Sequence, residues 1–279
     1  MLVAFQGEIG AYSESAVYAY FGVTVKLKPC MYLSDVFKCV EKGEADFGVV
    51  PVENSLEGSV TQTYDLFLTH DLKVCGEAII RIAHCLITHP GTKLNDVKTV
   101  YSHPQALAQC RNFLEKLNCR VIQAFDTAGS VKMIKEEGLK DAAAIASERA
   151  AKFYGMNVLV KDIGDSPNNY TRFFVLSKSD AAYTGKDKTS IIFSIKSYPG
   201  ALYKVLEEFA LRNINLTKIE SRPTKKTPWE YNFYLDFEGH RTERHCQETL
   251  ESIKSKTNFV KILGSYRAAS IENFSSHNF

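Results

Sequence analysis

The chain has 279 residues, and its 34 Lys and Arg against 32 Asp and Glu leave a net charge of +2. This length exceeds one ordinary domain, and 45% hydrophobic with 24% charged residues excludes a disordered or fibrous chain. The balanced charge carries no basic run, so nucleic acid is not an expected partner, and no apolar stretch approaches the ~20 residues a membrane-crossing helix needs. Residues 1–5 lack a charged leader and cleavage pattern, which makes a cytoplasmic protein the expectation. The seven cysteines (Cys30, Cys39, Cys75, Cys85, Cys110, Cys119 and Cys246) form no CxxC pair, so reduced thiols are expected, without a disulfide framework or a metal site.

From residue 1 to about 178 short apolar runs alternate with amphipathic stretches, the pattern of βα units around a mostly parallel sheet. Strands are predicted over 2–5, 24–27, 46–52, 78–87, 99–101, 120–125, 142–145, 158–162 and 172–176. Helices are predicted where a hydroxyl can cap orphan backbone N–H groups: Ser13 before 14–21, Ser34 before 35–41 and Ser147 before 148–154. Pro104, whose missing N–H does no harm in a first turn, opens a helix that continues over 105–116. Three polar clusters follow strand ends, where open α/β sheets bind ligands: the 7–13 loop, Glu53-Asn54-Ser55 and Ser102-His103.

Residues 179–188 lack apolar periodicity and read as a linker. Beyond it the order is strand 190–195, helix 201–211, strand 216–221, strand 231–237, helix 243–255 and strand 260–266, the split βαββαβ arrangement of ferredoxin-like domains. So small a unit leaves a sheet face and its edges to be covered, which points to a homodimer or homotetramer. The tail, 269–279, is short and polar.

Asn169-Tyr170-Thr171-Arg172-Phe173 resembles the signature block of the prephenate dehydratase family, which has Thr-Arg-Phe near the end of its catalytic domain. The segments VPVENSLEGSV at 50–60, YSHPQALAQC at 101–110, Gly7 to Ser13 and Ala142 to Ser147 resemble further blocks of that family, in its order. Gly200-Ala201-Leu202 and Glu220-Ser221-Arg222-Pro223 look like the paired motifs of a phenylalanine-binding ACT domain, with Tyr203 where a branched aliphatic is more usual. The resemblance implies an α/β fold whose catalytic domain, 1–178, has two periplasmic-binding-protein-like lobes, 1–77 with 163–178 and 78–162. A ferredoxin-like ACT regulatory domain would follow at 189–268. It also implies a lyase of phenylalanine biosynthesis that converts prephenate to phenylpyruvate, needs no cofactor and is under allosteric control by phenylalanine.

Prephenate carries two carboxylates and a ring hydroxyl, so such an enzyme must anchor one carboxylate and help the hydroxyl leave, without gripping the carboxylate that departs. The resemblance assigns Thr171 to the departing hydroxyl; its own acidity is negligible near neutral pH, and His103 is the best candidate to supply the proton. Arg172 can hold a carboxylate through two parallel N–H donors, with Asn54, Ser55 and Ser102 as partner donors. Tyr12, Ser13 and Phe173 complete the expected substrate contacts, although Phe173 could equally pack the cleft wall. Glu53 and Glu57 would repel a dianion, so at least one is expected to be structural, Glu53 by orienting Arg172 or its loop.

For the effector, the expected contacts are Gly200, Ala201, Leu202, Asn215, Leu216, Glu220, Ser221, Arg222 and Pro223. Arg222 could equally brace the fold, and Trp229 reads as hairpin packing. Two rivals stay open: arogenate dehydratase, the same elimination on the amino analogue, and a non-enzymatic amino-acid-binding regulatory protein. No helical segment precedes the first strand, so a fused chorismate mutase is not expected.

Overall fold

The computed structural model describes residues 1–225 and 227–270; of the tail, 271–279 lie outside the described residues. The chain runs β1 (Leu2–Gln6), α1 (Tyr12–Phe21), β2 (Lys26–Cys30), α2 (Leu33–Lys42), β3 (Phe47–Asn54), β4 (Gly58–Ser59), α3 (Thr61–Thr69), β5 (Lys73–Arg81), β6 (Cys85–Thr88), β7 (Thr99–Ser102), α4 (Pro104–Ala108), α5 (Arg111–Leu117) and β8 (Arg120–Gln123). It continues with α6 (Thr127–Glu136), β9 (Ala142–Ala146), α7 (Glu148–Tyr154), β10 (Asn157–Val160) and β11 (Tyr170–Ser177). After the linker come β12 (Asp187–Ser194), α8 (Ala201–Leu211), β13 (Leu216–Pro223), β14 (Tyr231–Glu238), α9 (Arg244–Lys254) and β15 (Phe259–Arg267).

Three sheets result, ordered β2-β1-β3-β11-β5 with β4 beside β3, β10-β6-β9-β7-β8, and β13-β14-β12-β15. The first two give the α/β, two-lobed, periplasmic-binding-protein-like architecture, and the third the C-terminal ferredoxin-like one. The described residues cluster into two compact units, Met1–Thr63 with Ala78–Phe173, and Tyr64–Glu77 with Phe174–Ala269.

In the first unit β1 pairs in parallel with β2 and β3, and β7 with β8 and β9, while β6 and β10 add antiparallel members to the second lobe. Residues Ala142–Ala146 of β9 are all buried, as a central strand covered on both faces requires. Their alternation sends Ala142, Ala144 and Ala146 into one apolar cluster with Ala128, Val131 and Ala150, and Ala143 and Ile145 into another with Leu107 and Leu114.

The strand expected over 78–87 is two strands in different sheets, β5 and β6, parted at residues 82–84. A continuous apolar run carries no mark of a change of sheet. The outgoing and returning crossovers are bonded to each other: Ile82 N donates to Asn169 O at 2.8 Å and Ile163 N to His84 O at 2.9 Å.

Ser147 caps α7 as expected, its Oγ accepting Ala150 N at 3.0 Å and donating to Gly10 O at 2.6 Å. Ser13 and Ser34 do not cap, because α1 and α2 start before them at Tyr12 and Leu33. The buried Glu14 carboxylate accepts Gly10 N instead, and pairs with Arg149 at 2.8 Å. These bonds tie α1 in one lobe to α7 in the other. Gly10 has φ +93°, and a Cβ there would lie 2.6 Å from Ala150 Cα, so a side chain is excluded twice over. The helix expected over 105–116 is two, α4 and α5, broken at Gln109 and Cys110.

In the C-terminal unit α8 and α9 cover one sheet face through Val205, Phe209, Leu250 and Ile253 packed on Ile191, Phe193, Leu235 and Phe237. The opposite face, expected to be bare, is covered by residues 64–77 of the same unit. Tyr64 lies against Tyr234 with ring centroids 4.6 Å apart, and Lys261 Nζ donates to the carbonyls of Phe67 and His70 at 2.9 and 2.8 Å. A Cβ at Gly264 would stand 2.0 Å from Val74 O, so backbone meets backbone there. That face therefore supplies no reason for self-association. Trp229 is 84% exposed and packs no hairpin; it sits at φ +67° in the β13–β14 connection.

Candidate active site

A cavity of about 200 Å3 opens between the two lobes of the first unit. Tyr12, Ser13, Asn54, Thr171 and Phe173 border it from the first lobe, His103, Gln105, Gln109, Phe125 and Asp126 from the second, and Ile82 and His84 from the crossover. Six of the expected site residues thus come together: Tyr12, Ser13, Asn54, His103, Thr171 and Phe173.

Ser55, Ser102 and Arg172 do not border it. Ser55 Oγ donates to Asn168 O at 2.8 Å and accepts Tyr170 N at 2.9 Å, so it staples its loop to β11. Ser102 is fully buried, with its hydroxyl spent on Ile145 O at 2.6 Å. Arg172 follows from strand alternation: Thr171 and Phe173 share the cavity face of β11 and the residue between them takes the other face. Its guanidinium lies 3.9 Å from Glu53 Oε2, the orienting pair expected of Glu53.

The Thr171 hydroxyl accepts a hydrogen bond from Asn54 Nδ2 at 3.0 Å. Asn54 is buried and its orientation is settled, since its Oδ1 accepts Leu56 N at 3.0 Å and Glu57 N at 3.1 Å. With its lone pair engaged, Thr171 has its own O–H left to donate.

Polar residues absent from the expected site also border it, Gln109 and His84 among them. Gln109 is 9% exposed; its Oε1 accepts Asn169 Nδ2 at 2.8 Å and pairs with His84 Nε2 at 3.0 Å, while its Nε2 has no hydrogen-bond partner among the described residues. A buried donor without a partner beside a cavity is one that a ligand group or a water can complete. His84 is buried, which pulls its imidazole below the ordinary value and holds it neutral, and the Tyr12 hydroxyl lies 3.2 Å from its Nδ1. Burial pushes the Tyr12 phenol well above its ordinary range, so it stays protonated and donates to Ala83 O at 2.8 Å.

His103 caps α4, its Nδ1 accepting Gln105 N at 3.3 Å, which places the proton of the neutral ring on Nε2. Desolvation lowers its pKa, and the Asp126 carboxylate opposes that shift. Asp126 is the sole acidic residue bordering the cavity among the described residues. Burial raises its pKa, while the backbone N–H groups of Gly129 and Glu8, at 2.5 and 3.3 Å, hold its two oxygens. Glu53 and Glu57 do not border the cavity.

Of the expected effector residues, Gly200 caps α8 in the left-handed region at φ +80°, Ala201 is buried, and Leu202 packs against the apolar cluster beneath the helix. Leu216, Glu220, Ser221, Arg222 and Pro223 lie on β13, an edge strand, with Asn215 just before it. Asn215, Ser221 and Pro223 are exposed, Glu220 pairs with Lys218 at 3.3 Å, and Arg222 reaches both carboxylate oxygens of Asp65 at 3.4 Å. Arg222 thus braces α3 against the sheet within this unit.

Comparison with known proteins bears on the same residues. The family model described as prephenate dehydratase matches residues 3–181. The bifunctional chorismate mutase/prephenate dehydratase of Aquifex aeolicus is 46% identical over 272 residues, 97% of this chain and 74% of that protein. The chloroplastic arogenate dehydratase/prephenate dehydratase 2 of Arabidopsis thaliana is 45% identical over 276 residues, 95% of this chain and 72% of that protein. Among solved structures, prephenate dehydratase from Arthrobacter aurescens in complex with L-Phe superposes with a TM-score of 0.88 at 35% identity, covering 96% of this chain and 90% of that one. With the family model spanning both lobes and relatives of this identity along nearly its whole length, the chain belongs to the prephenate dehydratase family.

Proposed function

We propose that the cleft converts prephenate to phenylpyruvate, releasing carbon dioxide and water. The observation that carries this is the Thr171 hydroxyl, bound as an acceptor by Asn54 at 3.0 Å and so left to donate. In the reaction the ring C–O bond breaks toward the leaving oxygen, the electrons of the C–CO2 bond enter the ring, and one proton turns the departing hydroxide into water. Thr171 stabilises the leaving oxygen as charge develops on it. Its acidity is too low to be the ultimate proton source, a role this proposal gives to His103. The open Nε2 of Gln109 takes a substrate oxygen, with Tyr12, Ser13 and Phe173 shaping the rest, and Arg172 acts through Glu53 and its loop instead of by direct anchoring.

In the same proposal residues 1–178 are the catalytic domain, with lobes 1–77 plus 163–178 and 78–162, and 179–188 is a linker. Residues 189–268 are an ACT-type regulatory domain that takes L-phenylalanine. The split βαββαβ order supports this, as do Gly200-Ala201-Leu202 at the start of α8, Glu220 to Pro223 on the neighbouring edge strand, and the relative solved with L-Phe. Inhibition would follow from unequal effector affinity for two states of the protein. A cytoplasmic homodimer or homotetramer, without nucleic acid or membrane, completes the proposal; no helix among the described residues is long and apolar enough to cross a membrane.

Arogenate is the second reading, favoured by Asp126, a carboxylate on the cleft wall able to face an ammonium. Incubating the protein with each substrate, with and without L-phenylalanine, tests both. Phenylpyruvate from prephenate, suppressed by L-phenylalanine, is expected; turnover of arogenate alone would transfer the assignment, and turnover of neither would defeat it.

A further inference from the structure

A chain of amides joins the two walls of the cleft, and its polarity is decided at one end. Because Asn54 Oδ1 accepts the backbone N–H groups of Leu56 and Glu57, its Nδ2 must donate, and it reaches Thr171 Oγ1 at 3.0 Å and Asn169 Oδ1 at 2.7 Å. With Oδ1 the acceptor, Asn169 Nδ2 must donate in turn, to Gln109 Oε1 at 2.8 Å. That oxygen also takes His84 Nε2 at 3.0 Å, and Gln109 Nε2 is the donor left over. Two backbone N–H groups thus orient every amide in the series. Asn169 is 2% exposed, and its carbonyl accepts Ile82 N, so the crossover holds it in place.

We propose that Asn169 is a positioning residue that fixes the orientation of the Gln109 amide in the second lobe, so that its oxygen is held and its N–H is left to donate, across the cleft from the Thr171 O–H that Asn54 leaves free. The inference rests on the cleft taking prephenate, whose carboxylates and departing hydroxyl are all acceptors. An acceptor in place of Asn169 Nδ2 inverts the far half of the chain: Gln109 turns its Nε2 toward residue 169 and shows its oxygen to an anionic substrate. His84 then loses the oxygen its Nε2 proton was bound to.

Asn169→Asp makes this exchange with little change of shape. At about pH 8 its kcat/KM for prephenate is expected to fall about a hundredfold, the scale of a lost hydrogen bond to a charged partner plus an acceptor left facing it. As pH falls, the new carboxyl protonates, its O–H can donate to Gln109 Oε1, and roughly tenfold of the loss returns relative to the native protein measured alongside. Asn169→Leu, similar in size and without polar atoms, loses activity and regains none.

Native kcat/KM in Asn169→Asp, or identical pH profiles in the two variants, would overturn the proposal. If Asn169→Asp does not fold, Asn169→Leu with native kcat/KM overturns it alone. The Gln109 side-chain 15N–1H signals, identified by their absence in Gln109→Leu, give a reading without turnover: they shift with pH in Asn169→Asp and stay fixed in the native protein. Should the native protein convert neither substrate, the proposed function falls while these signals still decide the role of Asn169.

Discussion

Two buried polar clusters, one mainly of amides in the cleft and one of hydroxyls and a carboxylate in the C-terminal sheet, end differently. In the sheet, Thr189 Oγ1 meets Ser265 Oγ at 2.8 Å, and Ser190 Oγ donates to Asp236 Oδ1 at 2.5 Å beside Tyr266 Oη at 2.6 Å. With the Gly239 carbonyl and the Arg241 N–H, those groups satisfy one another. In the cleft the series ends on Thr171 O–H and Gln109 Nε2, donors with capacity to spare. A closed polar cluster secures a fold, whereas one that stops short at a cavity wall is built to be completed by a ligand.

The contrast can be broken by substitution. Thr171→Ala should lower kcat roughly a thousandfold while leaving urea unfolding nearly unchanged; a loss of stability to match would make Thr171 a structural residue. Gly264→Ala should destabilise by about 3 kcal/mol, because the new Cβ meets the Val74 carbonyl at 2.0 Å and backbone must shift. An unaltered urea midpoint would show that the close approach is slack. Ser190→Ala opens the closed cluster and should lose about 1–2 kcal/mol of stability with kcat intact.

His103→Gln probes the open cluster through pH. Desolvation holds His103 below its ordinary 6.5, so its imidazolium gathers only as pH falls beneath that value. If it supplies the proton, native kcat rises there, and the variant should lack that limb; a variant that keeps it removes His103 from the proton path.

The smallest effect is expected at Glu208, whose carboxylate is drawn from 4.5 to about 2 by Lys256, then Ser252 and Arg212, the last at 2.6 Å. With the folded value depressed, its contribution is complete above pH 4.5 and fades as pH falls toward 2. Glu208→Gln should therefore melt below the native protein near neutrality and converge with it in acid.

The sequence made legible whatever depends on local pattern. The βαββαβ order of the C-terminal unit was readable from periodicity and turn residues, and Asn54 and Thr171 from ordered motifs. Motifs mark segments, however, and the pleat of β11 then divides one: Thr171 and Phe173 face the cavity and Arg172 does not. The sheet change at 82–84 was hidden because apolar residues run straight through it. Gln109, His84 and Asn169 were illegible for another reason, since each takes its role from partners 25 to 115 residues away. Gln109 lay inside a recognised block and Asn169 at the head of another, but nothing local distinguishes an orienting amide from a solvated one.

The amide series also gives the enzyme a chemical lifetime. Hydrolysis of a side-chain amide replaces N–H2 by an oxygen, the exchange made deliberately in Asn169→Asp, and asparagine is among the residues most prone to it on heating. At Asn54 or Asn169 such an event would leave the helices and the apolar clusters in place. An aged molecule would thus lose most of its activity while still folded, and that loss would run ahead of any sign of unfolding.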